Sequence, residues 1–145
     1  MLKMTFGLFI VSLFGAICWG LAPIFGKLGL GNINPLDGLA ARTIVTLTFL
    51  LFWLIVSNGF PRILAVPSRD WFYLSLEAFL ATLAGDLAYY AALKWSGAGV
   101  SAVVLSASPV FTVWLSKLIL HESFTLMQLL GVIMVAMGVL LVASG

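Results

Sequence analysis

Five long apolar stretches, each divided from the next by a short group of charged or turn-forming residues, constrain this chain more than any other feature. The charges act as punctuation: Lys3, Lys27, the Arg42 region, Arg62 to Asp70, Lys94, and Lys117 to Glu122 mark the breaks. A helix needs about 20 predominantly apolar residues to cross the hydrocarbon core of a bilayer, and five such runs fit. Hydrophobic residues make up 63% of the 145 and charged residues 8%, against roughly 45–50% and about 25% in soluble domains. The fold class that follows is an all-α integral membrane protein, a bundle of five transmembrane helices. It forms one domain over residues 1–145, embedded in the lipid bilayer of the cell (inner or plasma) membrane.

The first run follows Lys3, as the apolar core of a secretory signal peptide would. It is too long for that, and "ICWGLAP" offers no small-x-small cleavage site. Ile17 before Cys18 argues against a lipid-modified cysteine. A single cysteine makes no internal disulfide, and a net charge of +2 is too small and dispersed to point to nucleic acid.

The helices are expected near 4–30, 35–58, 69–95, 97–120 and 126–143. Pro23 frees the carbonyl of Trp19 and predicts a kink in the first. "NPLD" opens the second, with Asn34 as N-cap, Pro35 at the first helical position and Asp37 in the first turn. Asn58-Gly59 suits a left-handed cap, and Pro61 blocks continuation. Thr125 and Gln128 form a capping box ahead of the fifth. Connections this short make consecutive helices antiparallel neighbours.

Two faces carry small or hydroxyl residues at helical spacing: Ser12, Gly15, Trp19, Ala22 and Gly26 on the first helix, and Gly97, Ser101, Ser108 and Thr112 on the fourth. Such stripes either pack helices closely or line a polar cavity, and the carbonyls freed by Pro23 and Pro109 suit the second use. Arg42 shares a face of the second helix with Thr46 and Trp53. It either snorkels to the headgroups or lines a cavity mouth. Glu77 precedes Asp86 by nine residues, which at 100° per residue puts them on opposite faces.

Motifs for catalysis are missing. "GAGVSA", residues 97–102, matches a loose dinucleotide fingerprint but lies between two membrane helices, so it reads as a tight turn. His121 stands beside Glu122 with no cysteine or second histidine near it, which gives no metal site. No nucleophile, base and orienting group can be assembled, so neither an enzyme nor a cofactor is expected.

Taken together, "CWGLAPIFGKLGL", "NPLDGLAART", "YYAALKW" and "SAVVLSASPVFTVWLSKLILHESFTLMQLLGVIMVAMGVLLV" resemble the EamA unit of the drug/metabolite transporter superfamily. The matching elements of the last stretch are Pro109, Glu122, Gly131 and Gly138. The resemblance implies a five-helix unit, one half of a ten-helix inverted-repeat transporter, that moves small organic metabolites or drugs. Five spans put the termini on opposite sides, so a lone unit reproduces the inverted pair only as an antiparallel homodimer. With the N-terminus inside, Lys3, Arg62, Arg69 and Lys117 are cytoplasmic, and Lys27, Arg42 and Lys94 face the other way. That near-balance permits dual topology. The alternative is an accessory subunit that pairs with another five-helix transporter or a lipid-linked substrate flippase.

Asp86 lies well inside the third helix, one turn before Tyr90 and flanked by Tyr89. An acid at a helix centre costs about 2.5–3.5 kcal/mol on insertion scales, and such residues face protein interiors and carry function. Asp86 is either the acid that binds substrate or couples a proton, or a structural carboxylate bonded to Lys27, Arg42 or a tyrosine hydroxyl. In the first case Tyr90, Trp19 and Ser108 line the site for a small organic solute, with Arg42 at its mouth. Gly131 and Gly138, seven residues apart on the last helix, either form the homodimer seam or pack that helix within its own bundle.

Overall fold

The computed structural model describes residues 5–144. Lys3, counted among the cytoplasmic charges, and Met4, the expected first residue of the first helix, lie outside the described residues. The elements are α1 (Phe6–Leu30), α2 (Pro35–Val56), a short α3 (Phe60–Leu64), α4 (Ser68–Ser96), α5 (Ala98–Ile119) and α6 (Leu126–Ser144). All but α3 are long and apolar enough to cross a membrane, and no strand occurs among the described residues. The protein is a multi-pass integral membrane protein. It divides into two compact units, one formed by residues up to Phe25 together with those from Ser96 onward, the other by Gly26–Trp95.

The caps form as the sequence dictates. The Asn34 side chain accepts from the Leu36 backbone N–H at 3.0 Å, and Pro35 opens α2. Gln128 N–H donates to Thr125 Oγ1 at 3.3 Å while the Thr125 N–H donates to Gln128 Oε1 at 2.8 Å, the reciprocal pair of a capping box. At the end of α2, Asn58 adopts φ +48°. Its N–H donates to Ile55 O at 3.3 Å and that of Gly59 to Leu54 O at 2.8 Å, the paired closing bonds of a Schellman motif. That closure ends α2 at Val56 and not at residue 58. Pro61, expected only as a stop, sits in the first turn of α3, where its missing N–H has no helical partner to lose.

Two spans depart from regular α-helix. α4 is α-helical over Ser68–Ala78, π-helical over Phe79–Gly85 and α-helical again over Asp86–Ser96. The 100° step that sets Glu77 and Asp86 on opposite faces does not apply across these wider turns. α5 is also broken, into Ala98–Leu105 and Ser108–Ile119. The Ser106 hydroxyl donates back to Val103 O at 2.6 Å, and its N–H is shared between Ala102 O and Val103 O. Pro109 then supplies no N–H for the carbonyl of Leu105, so the second segment starts afresh. The stripe from Gly97 to Thr112 therefore does not continue along one regular helix. α1, in contrast, runs through Pro23 as one element.

In the first unit α6 packs against both segments of α5. Gly97, at φ +100°, links α4 to α5 as the tight turn expected of "GAGVSA". Buried Ser101 donates to Gly97 O at 2.7 Å and shares a 2.9 Å hydroxyl contact with Ser96.

In the second unit the end of α1, the start of α2 and the end of α4 meet around a small apolar core. Leu30, Leu39, Tyr90 and Leu93 are its buried apolar side chains. Gly38 makes the approach possible: a Cβ there would lie 2.6 Å from a Leu30 methyl and 3.3 Å from two ring carbons of Tyr90. Lysines bind the same end. Lys27 Nζ donates to the carbonyls of Leu93 and Lys94, both at 2.6 Å, and Lys94 donates to Ile33 O in the α1–α2 turn. The last carbonyls of a helix have no intrahelical donor and carry its negative dipole end, so a cation there satisfies both needs.

Gly38→Ala should destabilise the protein by about 1–3 kcal/mol, the usual range for an overfilled core, because Leu30 and Tyr90 are themselves enclosed. Gly29→Ala, where a Cβ meets nothing within 4 Å, should leave the melting temperature in detergent unchanged or higher. Equal losses for the two would show that Gly38 is not the point of close approach.

Candidate functional site

Arg42 lies seven residues into α2 and Asp86 ten residues before the end of α4. At 1.5 Å per residue these are about 10 and 15 Å from the same end of the unit, within a hydrocarbon core about 30 Å thick. The two meet there. Arg42 Nη2 donates to Asp86 Oδ2 in an ion pair whose side chains are 42% and 19% exposed. Of the partners open to Asp86 in the sequence, Arg42 is the one the fold supplies. The Arg42 guanidinium also lies over the Tyr90 ring, 5.5 Å from its centroid, a cation–π arrangement. Tyr90 is buried against Gly38 and meets Tyr89 edge-on at 6.0 Å. The Tyr89 hydroxyl is enclosed with no hydrogen-bond partner among the described residues.

Beside the pair is a cavity of about 230 Å³ lined by Arg42, Thr43, Thr46, Leu47, Leu50 and Thr82. Arg42, Thr46 and Leu50 recur every fourth residue, and Thr43 and Leu47 lie one residue on from the first two, so five of the six form one face of α2. Thr43 and Thr46 donate their hydroxyl protons back to Leu39 O and Arg42 O at 2.8 and 3.1 Å. That leaves their lone pairs free. Thr82 comes from the π-helical segment and makes no hydrogen bond through its side chain among the described residues.

The π turns also place Asp86. Gly85 closes the segment, and a Cβ on it would lie 2.9 Å from the Leu80 carbonyl oxygen, five residues back. A backbone oxygen inside a helix cannot step aside as a side-chain tip can, so Gly85 is what lets the wide turn form just before Asp86.

Arg42, Asp86 and Tyr90 are therefore brought together within the second unit. Trp19 and Ser108 belong to the first unit. Trp19 is largely exposed on α1, and Ser108 opens the second segment of α5, where its carbonyl accepts from Thr112 Oγ1 at 3.1 Å. Thr43, Leu47, Leu50 and Thr82 escaped the sequence reading. The α2 residues were visible as one helical face with Arg42 and Thr46, but Thr82 joins them only through the π segment. Among the described residues no group of three His, Cys, Asp or Glu side chains is placed to hold a metal ion.

The model of the EamA-like transporter family matches residues 5–144. The chain belongs to this family. An uncharacterized transporter of a Sinorhizobium species is 33% identical over 91% of this chain and 93% of its own length. An uncharacterized protein of Methanocaldococcus jannaschii is 28% identical over 92% and 94%. An uncharacterized transporter of Archaeoglobus fulgidus is 27% identical over 92% of this chain but 47% of its own length, so the chain spans about half of that relative. No solved structure matches it. This EamA-like chain is thus a membrane transporter, and its ion pair and cavity lie inside the spans that such a protein places in the bilayer.

Gly85→Ala should lower the melting temperature in detergent by an amount equivalent to about 1–3 kcal/mol, since the added methyl meets backbone. A variant as stable as wild type would mean that the π turn relaxes at no cost and does not hold Asp86 in place.

Proposed function

We propose that this EamA-like unit is a carrier, not an enzyme, that moves small organic solutes by alternating access, with Asp86 as the acid that binds substrate or couples a proton. The observation that carries the reading is the Arg42–Asp86 pair beside a cavity lined by Arg42, three threonines and two leucines, well inside two membrane spans. Charges at that depth are costly, and those present line substrate or proton paths. Arg42 stands at the mouth of the cavity and Tyr90 fixes its guanidinium from the buried side. Reconstituted into vesicles, the wild-type protein should accumulate solute when a proton gradient is imposed. Asp86→Asn should abolish that accumulation while expression stays intact, and counterflow exchange should persist, because the amide stands in for the protonated acid. Gradient-driven uptake by the Asn variant at the wild-type rate would remove Asp86 from the mechanism.

The working assembly we propose is an antiparallel homodimer. Five spans put the termini of one unit on opposite sides, so two copies inserted in opposite senses form the inverted pair. The seam is Gly131 and Gly138 on α6. A Cβ at either would meet nothing within 4 Å among the described residues, which leaves these positions open to a partner helix, and small residues are what let membrane helices approach one another. Replacing both with leucine should weaken cross-linked dimers in detergent several-fold while the monomer stays folded. Undiminished cross-linking would place the seam elsewhere. Failure of the pure chain to transport in vesicles, with activity restored by a second five-helix protein, would favour an accessory subunit.

A further inference from the structure

Arg42 is only partly used by its partner. A guanidinium has five N–H donors in a planar fork suited to bidentate binding of a carboxylate. Asp86 takes a single bond, to Nη2, and no second hydrogen bond from the guanidinium occurs among the described residues. The remaining donors belong to a side chain that lines the cavity and stays 42% exposed. Thr82 brings another uncommitted hydroxyl to the same space, and Leu47 and Leu50 supply an apolar wall. At about 230 Å³ the cavity is smaller than the 300–1,000 Å³ typical of drug-sized ligands. An anionic head and a short aliphatic tail match what lines it.

We propose that the cavity binds a small aliphatic carboxylate on Arg42, and that one proton on Asp86 must accompany it. The inference rests on the carrier reading and adds the substrate class. Its physical basis is charge balance. Arg42 and Asp86 together are neutral, and a carboxylate added to both would leave one net negative charge inside the membrane, which is costly. The balanced exchange has two parts. Asp86 takes up a proton and becomes a neutral acid, and the Arg42 hydrogen bond passes from Asp86 Oδ2 to the incoming carboxylate. Unloading reverses both. The charged and titratable groups around Asp86 are Arg42 on α2 and Tyr89 and Tyr90 on its own helix, and only Asp86 exchanges a proton in this scheme. Its tests need no knowledge of the natural solute.

The probes are pentanoate, pentylamine and pentanol, matched in tail and differing in head charge, titrated calorimetrically into the detergent-purified protein. Pentanoate should bind and the other two should not. Because one proton is taken up with each carboxylate, its affinity should fall about tenfold per pH unit between pH 6 and 8. Asp86→Asn should bind pentanoate at least tenfold more tightly at pH 8, with no pH slope. Arg42→Gln should lose binding, and Leu50→Trp should lose it with the ion pair intact, which covers the case in which Arg42→Gln fails to fold. Binding of pentylamine in place of pentanoate, or weaker pentanoate binding by Asp86→Asn, would overturn the proposal. The two readings fail separately. Pentanoate binding with the pH slope but no flux in vesicles would sink the carrier reading and leave the site standing. Proton-driven flux of another solute without pentanoate binding would do the reverse.

Discussion

Hydrocarbon offers no water, so each polar group that enters it must find its partner within the protein. Most of what is specific in this structure follows from that. Helices satisfy their own interiors and leave only their ends open, and those ends are closed by particular side chains. Asn34 takes the first free N–H of α2, and Lys27 takes two of the last carbonyls of α4. Lys94 reaches the turn between α1 and α2. Thr43, Thr46 and Thr48 return their hydroxyl protons to their own helix. The lysines that flank the spans are thus fasteners of the second unit as well as charges that bias orientation.

The same rule governs the two charges held deeper. Arg42 and Asp86 neutralise one another, and each makes the other's presence tolerable. Removing Asp86 would leave the Arg42 cation without its counter-charge, though with 42% of its side chain still exposed. A pair of this kind also responds to chemistry: whatever neutralises one member releases the other. Here the release would open onto a cavity and against a tyrosine that is itself locked by Gly38. In the proposed exchange, the contacts that stabilise the pair are also those that would release Arg42. The π segment sets them, because it decides which way Asp86 leaves α4.

Membership of the EamA-like family gives this arrangement its setting. Relatives of nearly the same length and a relative of about twice the length share the unit. Five spans reverse the sense of the chain from one end to the other, so how two units meet is a question of symmetry before it is one of affinity. In the assembly proposed above, Gly131 and Gly138 of α6 would make that contact, since lipid gives helices no hydrophobic reason to associate and close backbone approach must supply it.

The number of spans, their class and most of their ends were legible in the sequence. Apolar length is set by bilayer thickness, and caps depend on a few adjacent residues, so Asn34, Pro35, Asn58, Thr125 and Gln128 could be read locally. Asp86 also stood out, because its cost in hydrocarbon is a property of the residue and not of its neighbours. What it touches was not legible. Lys27, Arg42 and the tyrosine hydroxyls were all open to it, and only the packing of α2 against α4 chose Arg42. Thr82 and the changed relation of Glu77 to Asp86 depend on wide turns that no 100° periodicity can anticipate. The break before Pro109 was equally hidden, since Pro23 sits within a continuous helix and the difference lies in how Ser106 bonds its own backbone. Local chemistry is written along the chain, whereas the choice among equally plausible partners is made only when helices distant in sequence come into contact.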